Sequence, residues 1–242
     1  MEFIGQGSYG KIFVCESDRN KVRKVINIDF ASSIETREGL LRLSDSNKNF
    51  AKVFDVSVIE DELHIHMKRY VCDLEEYVTF KTRVPLGIIA TLKLEDQIYP
   101  ALEYLHKEER MLHSDIKPGN ILLDENLNFF LCDFSISLHL DRDVLRGSNK
   151  LYCKSFRPPI LFYNSQVKHG NKLKEEYDHY ALFMAMCYVH LAITMTWHNC
   201  SDMDIIMSCW KFRCNSLKRV LDEEFRDLKY KDSYLKAFRV CF

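Results

Sequence analysis

Apolar positions in the first third of the chain recur at short, strand-like intervals, and in the remainder they recur at helical ones. Residues Glu2 to Glu16 read as two short strands around a glycine loop, and Asn20 to Asp29, carrying Val22, Val25 and Ile28, reads as a third. Ser32 or Ser33 is placed to cap a helix running through Leu43, with Glu35 in its first turn. Phe50 to Val58 and Glu62 to Lys68 form a hairpin pattern with Glu60-Asp61 at the turn, and Tyr70 to Asp73 reads as a connector. From Pro85 onward the texture changes. Leu92, Ile98, Leu102 and Leu105 mark an amphipathic helix over Leu92 to His106, a short β-rich stretch follows, and helices run from about Tyr177 to the end. A strand-rich first third and a helical remainder argue for an α+β chain of two lobes with a cleft between them.

Length and charge narrow this picture. At 242 residues the chain can bury a large core. Its 34 basic and 35 acidic residues leave a formal net charge of −1, so no polyelectrolyte partner, nucleic acid included, is implied. Nine cysteines at irregular spacings, with no C-x-x-C pair, suit free thiols in a reducing compartment, the cytoplasm or nucleus. Cys200, Cys209 and Cys214 with His198 match no common zinc spacing. A glycine loop begins within a few residues of Met1, where a signal peptide would need its apolar run. The most apolar stretch, Ala181 to Trp197, carries His190 near its middle and is short for a bilayer, so a buried core helix is expected and no membrane partner.

The chemistry concentrates in Met111 to Leu123, reading MLHSDIKPGNILL, and in Asp133-Phe134-Ser135 downstream. This order sets Asp115 to orient a substrate hydroxyl, Lys117 to neutralise a moving phosphoryl group, and Asn120 and Asp133 to hold two magnesium ions. The pattern H-x-D-x-K-x-x-N followed by D-F-x resembles the catalytic and magnesium loops of the eukaryotic protein kinases, and Lys117 resembles their serine/threonine class. The resemblance implies ATP and Mg2+ as cofactors, proteins with serine or threonine acceptors as substrates, and a single bilobal domain over residues 1–242. Its small lobe would span about 1–69, its hinge about 68–72 and its large lobe about 73–242. The compact build and degenerate A-P-E region also resemble kinases encoded by large DNA viruses, which would act inside an infected cell.

Other segments gain meaning from this resemblance. Gly5, Gly7 and Gly10 fit G-x-G-x-x-G, and the β-type residues after them point to a hairpin whose backbone N–H groups approach phosphate oxygens. Lys24 lies where the family carries its strand lysine, and strand alternation turns it inward with Val22, away from Lys21 and Arg23. Its carboxylate partner on the following helix is preferentially Glu38, with Glu35 one turn earlier as the alternative. Met67 resembles a gatekeeper, and Lys68 to Tyr70 would offer backbone groups to adenine. Ile4, Ile12 and Val22 from above and Leu122 from below would sandwich the ring. Asp73 would reach the ribose or a substrate arginine, or cap a helix. His113 is expected to pack on Phe134, and Asp178 to accept N–H bonds from the catalytic loop. Cys132 is expected to line the pocket, open to thiol reagents.

Three positions depart from the family. Ser114 replaces the arginine that reads a phosphate on the activation loop, so Ser148, Tyr152 and Ser155 are expected to be plain loop residues rather than switches. Ser135 replaces a glycine and restricts the loop's φ/ψ freedom. Ile160 stands where an ion-pairing glutamate is expected. The departures leave every atom-handling residue in place, so transfer is favoured over a pseudokinase that binds nucleotide or partners only.

Overall fold

The computed structural model of the chain describes residues 2–6, 10–143, 151–163, 172–191 and 201–242. Strands β1 (Glu2–Gln6), β2 (Gly10–Val14), β3 (Lys21–Asn27), β4 (Val53–Ile59) and β5 (Glu62–Lys68) form one antiparallel sheet in the order β1-β2-β3-β5-β4. Glu60 turns the β4–β5 hairpin in a left-handed conformation, φ 55°. Across the sheet Lys24 faces Ile12 on one side and Ile65 on the other, and Val22 faces Met67. Val22 and Ile26 are buried, so the alternation that turns Lys24 inward is the one the core imposes on β3.

Helix α1 (Arg37–Asp45) begins later than the sequence pattern suggests. Ser32 and Ser33 do not cap it. Thr36 does, its hydroxyl accepting from Gly39 N at 3.1 Å. Glu35 therefore lies just before the helix and is buried, while Glu38, inside the first turn, is exposed.

The second lobe hangs from α3 (Ile88–Lys107) and α5 (Glu176–Leu191). Along α5, every residue from Tyr177 to Cys187 is buried, as expected of a helix apolar on all sides that threads a core. Each such Leu, Phe or Met contributes about 1.5–3 kcal/mol of burial. Among the described residues no helix is long and apolar enough to cross a membrane. The described part of the apolar run from Ala181 ends at Leu191, and Trp197, His198 and Cys200 lie outside the described residues. Helices α6 (Asp202–Asn215), α7 (Leu217–Arg219) and α8 (Lys231–Val240) complete the lobe, α8 packing on α5 through Phe183 with Tyr234 and Phe238.

Short strands carry the functional loops. β6 (Cys72–Asp73), β8 (Ile121–Leu123) and β9 (Phe129–Leu131) form one antiparallel sheet, and β7 (Met111–Leu112) pairs with β10 (Leu138–His139). The two lobes are stitched where Ala51 N donates to Leu131 O at 2.9 Å and Leu131 N to Asn49 O at 2.8 Å. Beside this seam Phe134 packs on Phe50 and on His113, ring centroids 5.9 and 5.1 Å apart.

Candidate active site

Lys24 reaches out of β3 to the segment after β9. Its Nζ donates to Asp133 Oδ1 at 2.7 Å and to Ser135 Oγ at 3.3 Å, and lies 3.6 Å from Glu35 Oε1. Glu35, not Glu38, is thus the carboxylate beside Lys24. The helix register explains the difference, because capping by Thr36 holds the chain ahead of α1 against the cleft and turns Glu38 outward. Burial works to neutralise all three groups. It is outweighed at Lys24 by Asp133 and Glu35, which raise its pKa, and at Asp133 by Lys24, which holds the carboxyl well below the usual range. Glu35 has the weaker contact with Lys24, and burial pushes its pKa up.

Ser135 does more than fill a glycine position. Its Oγ lies 2.7 Å from Asp133 Oδ1 and 3.3 Å from Glu35 Oε1. The left-handed residue of this turn is Asp133, φ 64°, so Ser135 meets no backbone penalty there.

The catalytic-loop motif closes around Asp115. Lys117 Nζ donates to Asp115 Oδ2 at 2.6 Å and Asn120 Nδ2 to the same oxygen at 2.9 Å. Cys153 N donates to Asp115 Oδ1 at 3.1 Å. Asn120 Nδ2 also donates to Asp115 O at 2.8 Å, which fixes the amide so that its oxygen faces away. Cys132 N donates to Asn120 O at 3.1 Å and joins the two loops. The Asn120 amide oxygen and Asp133 Oδ2 accept no hydrogen bond among the described residues. Two such oxygen donors, one of them an ionised carboxylate, fit a hard divalent cation such as Mg2+.

The loop's shape depends on Asp178. This fully buried carboxylate accepts His113 N at 2.8 Å, Ser114 N at 3.1 Å and the Tyr152 hydroxyl at 2.7 Å, and His106 Nε2 lies 2.9 Å away. Ser114 is held at φ 67°, a strained position for a non-glycine residue that the two amide bonds sustain. His113 Nε2 lies 3.0 Å from Cys132 O, and Asp115 N donates to His113 Nδ1. Burial lowers the His113 pKa, consistent with a neutral ring that donates through Nε2.

Tyr152 is not a plain loop residue. It is buried, takes φ 59°, and its N donates to Ser114 O at 2.7 Å while its hydroxyl reaches Asp178. Sequence reading missed this because the partners lie far apart in the chain. Arg157 adds Nε to Leu151 O at 2.9 Å and a further donor to Tyr152 O at 3.2 Å. Ile160 makes no ion pair, and its N donates to Cys241 O at 2.8 Å, which ties the start of α4 (Ile160–Tyr163) to the chain after α8.

The residues expected to line a nucleotide pocket differ in exposure and in their neighbours. Gly5 has open space where a Cβ would stand, whereas a Cβ on Gly10 would lie 2.4 Å from Ile26 Cγ2, so Gly10 serves strand packing. Gly7 lies outside the described residues, as does Ser148. In the connector, Lys68 N donates to Lys52 O and Arg69 N to Asn20 O, which leaves Tyr70 N as the hinge amide without a partner among the described residues. Val22 is buried and Ile12, Met67 and Leu122 are half-buried, while Ile4 is exposed. Asp73 caps the short helix α2 (Leu74–Glu76), accepting from Glu76 N at 2.7 Å. Cys132 is less available than its position suggests, since its thiol donates to Asn120 O and burial pushes its pKa far up.

Comparison with known proteins agrees with this geometry. The sequence profile of the protein kinase domain matches residues 1–234. The serine/threonine-protein kinase PrkC of Bacillus subtilis is 27% identical over 192 residues, 75% of this chain and 28% of that protein. The carbon catabolite-derepressing protein kinase of Candida albicans is 27% identical over 61% of this chain and 25% of its own length. Its namesake in Saccharomyces cerevisiae is 29% identical over 60% of this chain and 24% of its own length. The chain thus spans about a quarter of the length of these curated relatives.

Proposed function

This chain belongs to the protein kinase domain family, and from that membership we propose that it transfers the γ-phosphate of ATP to serine or threonine hydroxyls of protein substrates. The observation that carries this reading is the convergence of Lys24, Asp133, Asn120, Asp115 and Lys117 through direct side-chain contacts of 2.6 to 2.9 Å and one backbone link between loops. Lys24 positions the nucleotide phosphates. Asp115, held by three donors, orients the acceptor hydroxyl and takes its proton, while Lys117 beside it offsets charge on the moving phosphoryl group. Asn120 and Asp133 would hold Mg2+, which supplies neutralisation of the phosphate oxygens when bound. The eight cysteines among the described residues are free thiols, which supports action in a reducing compartment.

A second reading, nucleotide binding without transfer, draws on Ser114, Ser135 and Ile160. Each has a local replacement: Tyr152 on Asp178, the Ser135 hydroxyl in the lysine network, and the Ile160 tie to Cys241. Transfer is therefore the stronger reading. The test is label transfer from radiolabelled ATP and magnesium to myelin basic protein or casein. Transfer by the wild type that vanishes in Asp115→Asn is the expected result. A wild type that stays silent while ATP raises its melting temperature would replace transfer by binding alone.

A further inference from the structure

Beside Asp178 lies a second cluster that the phosphoryl-transfer reading does not use. Glu103 and His106 stand one turn apart on α3, and His179 faces them from α5. Their Glu103 carboxylate oxygen and two imidazole nitrogens all lie within 4.8 Å of one another. His106 Nε2 is committed to Asp178 Oδ2, which leaves Nδ1 as its uncommitted ring nitrogen, and that atom is buried without a hydrogen-bond partner. His179 Nε2 is likewise buried and unpartnered, 3.4 Å from Glu103 Oε1 but outside hydrogen-bonding geometry. Two buried ring nitrogens without hydrogen-bond partners, beside one carboxylate, are costly to leave in a packed interior.

From these three residues we infer a zinc-binding site, His106 Nδ1, His179 Nε2 and Glu103 Oε1, that clips α3 to α5 beneath the catalytic loop. Two imidazoles and one carboxylate are a donor set that Zn2+ takes readily, with a fourth position for water. Two ligands of one tetrahedral zinc stand roughly 3.3 Å apart at ordinary bond lengths of ~2.0–2.1 Å, a separation Glu103 and His179 already have. Tyr99 stacks on His179, centroids 4.8 Å apart, and fixes its plane. Glu103 is half-buried and gives the ion an entrance from solvent. The second layer is also present, since His106 passes its other nitrogen to Asp178 in a carboxylate–histidine–metal arrangement that fixes the tautomer. Zinc on His106 would therefore stiffen the carboxylate that holds His113 N and Ser114 N.

The test uses the whole chain, stripped with chelator and titrated with zinc alone, followed by metal analysis after dialysis and by thermal melting. The expected result is one retained equivalent of zinc and a raised melting temperature. Both should be lost in His179→Gln, with affinity down at least about 100-fold, since even losing an outer-shell partner costs 10–100-fold. Glu103→Gln, at a half-exposed position, gives the same comparison should His179→Gln fold poorly. Cobalt in place of zinc separates this site from the cysteines. A tetrahedral spectrum without thiolate charge transfer is expected, and a thiolate band would overturn the assignment. Failure of the wild type to retain zinc, or equal retention by both variants, would also overturn it. None of these readouts depends on phosphoryl transfer.

Discussion

Removing the single hydroxyl of Tyr152 tests whether Asp178 organises the activation segment in this chain. Tyr152→Phe keeps a ring that is 2% exposed and deletes only the donor that sits 2.7 Å from Asp178 Oδ1. Burial and the adjacent carboxylate push the phenol pKa well above its ordinary range, so the wild-type group donates at every accessible pH. A hydrogen bond to a buried charge is worth about 1.5–3 kcal/mol. Asp178 keeps His106 and the amides of His113 and Ser114, so the loss stays at about 2 kcal/mol. For a chain of this length that lowers the melting temperature by about 4–8 °C. Urea denaturation should show a lower midpoint at unchanged slope. Because Cys153 N, the next residue along, reaches Asp115, the variant should also lose turnover more than ATP affinity. A Phe variant within about 0.5 kcal/mol of wild type, or phosphate found on Tyr152 in active protein, would refute the reasoning.

Other variants probe the lysine network and the sheet. Glu35→Gln should slow label transfer about tenfold or more, a loss of about 1.4 kcal/mol in transition-state stabilisation, while Glu38→Gln stays within about twofold. The opposite ranking would restore the helix glutamate as the partner of Lys24. Gly10→Ala should cost about 1–3 kcal/mol in chemical denaturation, because the new Cβ overlaps Ile26 and Val25. Gly5→Ala, where a Cβ meets open space, should cost less than about 0.5 kcal/mol. In acid, burial works to raise the Asp178 carboxyl, but His106, His113 and Tyr152 hold it at about 2 against an ordinary 3.8. Its folded value lies below its unfolded one, so this stabilisation is complete above about pH 4 and drains as pH falls through about 2. The amount at stake is about 2 kcal/mol, measurable as a fall in unfolding free energy that Asp178→Asn should largely abolish.

What the sequence made legible was local. Asp115, Lys117 and Asn120 lie within one loop, where spacing alone nearly determines contact, and the two-residue period of β3 was enough to turn Lys24 inward. The α+β division followed from the change in apolar rhythm for the same reason. Glu35 was harder, because the helix starts three to four residues later than a cap at Ser33 or Ser32 implies, which leaves Glu35 ahead of the helix instead of in its first turn. The signal was present, however, as Thr36 with Gly39 three residues on makes a cap that competes with Ser32 and Ser33. Tyr152 and His179 gave no such signal. Their partners sit on α5 and α3, and only the packing of those helices brings them to one carboxylate or beside one another. The missing arginine at Ser114 therefore reads differently in three dimensions. Asp178, which fixes the loop backbone, also receives Tyr152 from the described part of the segment after the catalytic loop, so one buried charge links that segment, the catalytic loop and α3. A substitution that looks like loss along the chain is here accompanied by a tyrosine from elsewhere in it.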